Sequence, residues 1–200
     1  MTFYQEYSSW WSPPAKRLSP TPSIGQRAPS TARLPLPPPD GRPTIVTFLR
    51  HCGCPFAEDS FIQLRNLALQ NTPIHFVAIS HSSQSSTDGW LRAVGGPGTQ
   101  NPITVIVDEE REIYAKWGLG ISGWMHVLSP GGLYSAYKLG RAKDIWNRPT
   151  ETGSRWQQAG SWAVDGSGYV KWGGPAQRAD DLPNFEDAVR AVQAEQRAKL

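Results

Sequence analysis

The sequence predicts an α/β sandwich, a mixed β-sheet flanked by helices, preceded by a disordered Pro-rich N-terminal tail. Three observations carry this. Short apolar runs alternate with stretches of helical period. An Asp-Gly turn between two β-rich runs marks a hairpin late in the chain. Ten of the 18 prolines lie in the first 43 of the 200 residues. That segment has too little apolar surface to offset its ordering entropy, and Pro35, Pro37, Pro38 and Pro39 favour polyproline II. The expected organisation is a tail over 1–40 and one domain over 41–200. The tail also holds the charge: five basic residues against two acidic account for the net +3, and the rest of the chain is balanced. The body therefore offers no basic surplus for nucleic acid. Pro35 and Pro38 satisfy P-x-x-P, so the tail is either an SH3-type ligand or a plain linker.

The elements follow in order. Thr44–Leu49 is a strand that begins directly after Pro43. Phe56–Gln70 is a helix with Ala57, Phe61, Leu64 and Ala68 on one face and acids Glu58 and Asp59 in its first turn. Ile74–Ile79 is nearly continuous in apolar residues, as a doubly covered strand must be. Thr87–Val94 is a short helix ended by Gly95-Gly96. Ile103–Val107 is a third strand, and Glu109–Trp117 a helix ended by Gly118. Met125–Leu128 reads as a short strand and Leu133–Ala142 as a helix. Ser161–Val164 and Tyr169–Trp172 flank the turn Asp165-Gly166-Ser167-Gly168. Asn184–Ala198 closes the chain as a helix with Phe185, Ala188, Val189 and Val192 on one face.

The chemistry centres on Arg50-His51-Cys52-Gly53-Cys54-Pro55-Phe56, where the first strand runs into the first helix. Both cysteines of the chain are here, too few for a disulfide scaffold or a four-cysteine zinc site. Pro55 suits the first helical position, where its missing N–H costs nothing. That puts Cys54 at the N-cap, where the helix dipole and free N–H groups favour a thiolate. Arg50 and His51 add positive potential. Free cysteines are otherwise small core fillers, and Cys52 fits that role as well as a redox one.

Two other readings use neighbouring residues. Cys52, Cys54 and His51 can begin a metal site with His75, His81 or His126, although no spacing here follows a zinc pattern. His75 and His126 read as core residues within strands; His81 follows a strand and either lines the cleft or caps a loop. The nine tryptophans are either core or an aromatic pocket for an organic substrate near Cys54, with Trp124, Trp146 and Trp156 in the irregular stretch before the hairpin. No run approaches the ~18 apolar residues of a membrane span, and the first thirty lack a signal-peptide core. The expectation is a cytoplasmic protein without a membrane partner; a mitochondrial presequence is the alternative, against which the prolines count.

Strand–loop–Cys-Pro–helix, then Ile74–Ser80, then Pro102–Asp108 with Ile113-Tyr114-Ala115-Lys116-Trp117-Gly118, resembles the thioredoxin-fold AhpC/TSA family. Cys54-Pro55-x-x-Glu58 resembles the peroxidatic turn of peroxiredoxins. Arg50-His51-x-x-Cys54, Trp156-Gln157-Gln158-Ala159-Gly160 and Asp180-Asp181 are similar to the peroxiredoxin-like PRXL2/AAED1-type group. The likeness covers roughly residues 41–195. It implies a thioredoxin-like fold and reduction of hydroperoxides by Cys54, with Arg155 stabilising negative charge and His51 orienting the substrate or moving a proton. Pro55, Phe56, Trp124 and Trp156 would then line the substrate site. No bound cofactor or metal is implied, and a homodimer is one assembly it allows. The departures are specific. His51 stands where peroxiredoxins carry Thr or Ser, and Ala57 stands where the group has its second C-x-x-C cysteine. Resolution then falls to Cys52 or to an external thiol such as glutathione or thioredoxin. The alternatives are a repurposed thioredoxin-fold enzyme acting on a small organic molecule, a glutathione-dependent thiol oxidoreductase, and a non-catalytic interaction module.

Overall fold

The computed structural model describes residues 13–95, 102–123, 130–149 and 152–198. Its centre is a five-stranded sheet of order β3-β2-β1-β4-β5. The strands are β1 (Thr44–Phe48), β2 (His75–Ser80), β3 (Ile103–Val107), β4 (Gly160–Val164) and β5 (Val170–Pro175). β1, β2 and β3 are parallel; β4 and β5 are antiparallel, with Thr44 opposite His75 on one side and Val164 on the other. The expected mixed sheet is thus present, in a thioredoxin-like arrangement. The helices are α1 (Pro55–Gln70), α2 (Gln84–Ala93), α3 (Glu112–Lys116), α4 (Pro130–Lys143) and α5 (Phe185–Ala198).

Side chains alternate between two faces of the sheet, so each strand feeds two cores. Ile45, Phe76, Ala78, Ile103 and Ala163 pack with Phe61, Leu64 and Ala68 of α1, Trp90 and Leu91 of α2, and Phe185, Ala188, Val189 and Val192 of α5. Val46, Phe48, Val77, Ile79, Trp162 and Val164 pack on the other side with Ile113, Tyr114 and Trp117 of α3. α3 has five residues and cannot cover that face alone.

The remaining cover comes from the segment the composition reads as tail. Residues 13–43 contain no helix or strand, but they form an ordered strap. Ala28, Leu34 and Leu36 are buried in the second core. Gly25 and Gln26 exchange backbone hydrogen bonds with Val170 at 2.8 and 2.9 Å, Ser19 donates to Ala115 at 3.0 Å, and the Trp162 indole donates to the Pro22 carbonyl at 3.2 Å. The expected disorder over 1–40 therefore does not hold for 13–40, where burial against a waiting apolar face outweighs the composition. Pro35 stands exposed between the buried Leu34 and Leu36, and Pro38 is partly buried; residues 1–12 lie outside the described ones.

Local corrections have local causes. α2 starts at Gln84, earlier than Thr87, because Ser83 caps it by accepting from the Ser86 N–H. α3 starts at Glu112, not Glu109: the buried Asp108 carboxylate accepts from the N–H groups of Ile113 and Tyr114 at 2.8 and 3.2 Å and fixes the entry. The hairpin is as expected, with Asp165 accepting from Ser167 and Tyr169 across the turn. The strand expected at Met125–Leu128 lies outside the described residues.

Candidate active site

The carboxyl ends of three parallel strands meet at one edge of the sheet, where α/β folds place their chemistry. β1 delivers Leu49-Arg50-His51, β2 delivers Ser80-His81-Ser82, and β3 delivers Asp108. Tyr114 ties the floor together: its hydroxyl lies 2.6 Å from the Leu49 carbonyl and 2.7 Å from that of Ile79.

From this edge the chain turns into α1 through Cys52-Gly53-Cys54. Gly53 has φ +119°, a conformation L side chains rarely adopt. Cys54 is the N-cap of the 16-residue α1 and Pro55 takes its first turn, as expected. The Cys54 side chain makes no capping hydrogen bond; its N–H donates to the His51 carbonyl, and its carbonyl accepts from Glu58. Both cysteines are free thiols and both are buried. Cys52 sits in a net of hydroxyls. Its sulfur is 3.6 Å from Ser80 Oγ and 3.8 Å from Thr87 Oγ1, and its N–H donates to Ser82 Oγ at 3.1 Å. Burial nevertheless pushes the Cys52 thiol above its ordinary pKa.

Behind the loop lies a buried basic cluster. Arg50 donates to the Arg155 backbone carbonyl at 2.8 Å. His51 is buried with neither ring nitrogen partnered. Burial, followed by the charges of Arg50 and Arg155, holds its pKa well below 6.5, so the ring is neutral. His81 is held down to about 4, chiefly by burial; its Nε2 meets the Ser154 backbone at 3.1 Å. The 152–155 loop closes over both rings. A Cβ on Gly153 would meet Ser82 Oγ at 2.7 Å, and His51 and His81 at 3.3 Å.

Two clefts open nearby. One, of about 290 Å³, is lined by Cys52, Trp90, Ser86 and Arg148, and not by Cys54. Arg148 forms a bidentate ion pair with the buried Glu58 at 2.7 and 2.9 Å, while its N–H donates to the Gly53 carbonyl, tying the loop after α4 to the cysteine turn. The other, of about 600 Å³, lies between β1, α1, β5 and the approach to α5; Arg50, Phe56 and Trp172 are among its walls. Of the aromatic residues expected at a pocket, Phe56 lines this cavity; Trp156 is buried with its carbonyl held by Ser122, Trp146 is half-exposed over Gly140, and Trp124 lies outside the described residues.

The histidines do not converge on the cysteines as a metal set. His75 is at the opposite end of its strand, partly exposed, 2.8 Å from Asp40 and 3.2 Å from Arg42; it is not the core residue the apolar run suggests. His126 is outside the described residues. Among the described residues no three His, Cys, Asp or Glu are grouped to hold a metal, and no helix is long and apolar enough to cross a membrane. Sequence reasoning misses Ser80, Ser82, Thr87, Tyr114 and Arg148; the available signal was Ser80-His81-Ser82 at the carboxyl end of an apolar strand.

A buried Cys-Gly-Cys turn at the head of a helix, on a mixed sheet with parallel β1–β3, defines a thioredoxin-like domain with a thiol site. The chain belongs to the AhpC/TSA antioxidant enzyme family, whose model matches residues 63–177, more than half its length. The match begins within α1 and spans β2 to β5, so it includes neither β1 nor the two cysteines. Comparison with curated proteins finds no match. Among solved structures, the fold is similar to peroxiredoxin 6 of Arenicola marina, with TM-score 0.59 and 14% identity over 87% of this chain and 73% of that one. A peroxiredoxin-like protein from Aquifex aeolicus gives 0.56 and 13% over 88% and 90%. A thiol peroxidase from Chromobacterium violaceum gives 0.55 and 14% over 91% and 92%. At such identities the likeness is one of fold.

Proposed function

We propose that the chain is a peroxiredoxin-like thiol peroxidase in which Cys54 reduces hydroperoxides. The observation that carries this reading is Cys54, buried at the N-cap of α1, where the chain leaves the carboxyl end of β1. The Cys54 sulfur attacks the terminal peroxide oxygen. An S–O bond forms, the O–O bond breaks, and the leaving alkoxide takes a proton and departs as an alcohol. Sulfur loses two electrons, the peroxide gains two, and Cys54 becomes a sulfenic acid. Arg50 and Arg155 supply the positive field for the developing oxyanion. His51, neutral in its buried setting, acts as base or N–H donor and not as an imidazolium.

Resolution by an external thiol fits better than resolution by Cys52. A thiol raised in pKa, held among Ser80, Ser82 and Thr87, is a poor nucleophile. Glutathione or thioredoxin instead condenses with the sulfenic acid, releasing water and leaving a mixed disulfide. A second thiol then regenerates Cys54 and leaves as the disulfide of the reductant.

The test is intact-mass spectrometry after a brief, near-stoichiometric pulse of hydroperoxide with a sulfenic-acid trap. The wild type and Cys52→Ser are expected to show the trapped adduct, and Cys54→Ser none. Oxidation no faster than that of a free cysteine, or reactivity that follows Cys52 instead, overturns the reading.

A further inference from the structure

The register of the sheet lays a floor for the 600 Å³ cavity. Thr47 pairs with Ser161, and Ser161 with Gly174, so these three form one row across β1, β4 and β5. Ile45, Ala163 and Trp172 form the row two residues away on each strand, and they pack in the core with α1 and α5. A step of two residues returns to the same face of a sheet, so the Thr47 row also faces α1 and α5. All three residues line the cavity. Here the side chains shrink to two hydroxyls and a hydrogen. The Ser161 hydroxyl donates to that of Thr47 at 3.3 Å, and a Cβ on Gly174 would meet nothing within 4 Å. The space above is walled by Phe56 and Ala57 of the first turn of α1, by Trp172, and by Ala179 and Leu182 on the approach to α5. Its volume is in the range of small-molecule sites. Two of the described lining residues are charged, Arg50 and Asp181. Arg50 offers the space no free donor: its Nη2 donates to the Arg155 carbonyl, and its Nε and Nη1 are enclosed. Asp181 is exposed at the rim and accepts from the Gln177 N–H. Among the described residues, then, an anion would meet a carboxylate at the rim and no reachable cation within.

We infer that this cavity binds a neutral, mainly apolar organic molecule, its hydrocarbon laid over the Thr47–Ser161–Gly174 row between Trp172 and the first turn of α1. Binding removes apolar surface of both ligand and walls from water. A carboxylate would instead lose hydration without gaining a counter-charge. Cys54 is not among the lining residues. Binding of this kind goes beyond the peroxidase reading and needs no thiol chemistry, so either can fail alone.

The experiment is calorimetric titration of the full chain at neutral pH with decan-1-ol and, as an anionic counterpart of equal length, decanoate. Decanol is expected to bind saturably, and decanoate at least roughly tenfold more weakly, as burial of an unpaired charge implies. Gly174, unlike Gly173, does not have a positive φ, so a side chain there enters the cavity without backbone strain. Gly174→Leu should weaken decanol binding and Gly174→Trp should abolish it, each with the far-ultraviolet circular dichroism of the wild type. Absence of saturable decanol binding, or decanoate binding as tight as that of decanol, overturns the inference. So does unaltered decanol binding in a folded Gly174 variant.

Discussion

Burial at the carboxyl edge of the sheet makes two imidazoles a source of acid sensitivity. His81 has its pKa lowered to about 4 and His51 is also held well below 6.5. In the unfolded chain both titrate near 6.5. Between pH 6.5 and 4 the unfolded state therefore binds more protons, so stability is fully present above 6.5 and declines as the pH falls through that window. The slope is about 1.4 kcal/mol per pH unit for each histidine. Urea unfolding at a series of pH values should show this loss, and His81→Gln should remove close to half of the slope. An unchanged slope in that variant would mean that His81 takes up its proton in the folded state as readily as in the unfolded one. At this scale Cys54 and Pro55 were legible, because a Cys-Pro pair at a strand-to-helix junction has one economical placement. The hydroxyl cradle of Cys52 was not, since Ser80, Ser82 and Thr87 come from another strand and helix, and only the pairing of β1 with β2 brings them together.

Elements here are joined at their ends by ion pairs set on buried carboxylates. The Glu58–Arg148 pair fastens the turn after α4 to the first turn of α1, next to Gly53. Arg148→Met strands Glu58, which is 5% exposed, without its cation. Because the arginine side chain is 41% exposed, the cost is expected at the lower end for a buried pair, about 1–3 kcal/mol. Adding Glu58→Gln should recover part of it, as a double-mutant cycle by chemical denaturation would read; full additivity would show that the pair contributes nothing of its own. β1, β2, β3 and the hairpin were all legible, because β-branched runs and an Asp-Gly turn are local signals. The start of α2 was not: Gln84, Ser85 and Ser86 carry no apolar period, and the Ser83 cap decides it. The start of α3 was read three residues too early because it is set by Asp108, which also receives Arg33 from the strap.

Across the whole molecule the decisive piece is the strap. A five-stranded sheet has two faces to bury, and the chain after residue 43 supplies long helices to one of them. Pro-rich composition signals low helix and strand content correctly, but it says nothing about whether a complementary apolar face exists for an irregular segment to lie on. Here Trp162, Val164 and Val170 offer that face, and Ala28, Leu34 and Leu36 cover it. The fit is close enough that backbone passes backbone: a Cβ on Gly118 would strike Thr21, and one on Gly166 would strike Gly41. Replacing one buried leucine by alanine costs about 2–5 kcal/mol, against a total stability of about 5–15 kcal/mol for a domain. Leu34→Ala with Leu36→Ala is therefore expected to lower the urea midpoint strongly. Residues 41–200 alone, which also lose the hydrogen bonds of Gly25, Gln26 and Ala28 to the hairpin, are expected to be insoluble or to lack a cooperative transition. Circular dichroism melts and native-state hydrogen exchange on both proteins check this. If 41–200 unfolded cooperatively at the wild-type midpoint, the sheet would be self-sufficient and the strap only laid upon it. If it collapsed, the Pro-rich segment would have to be counted as part of the core, and site variants would need to be made in a chain that retains it.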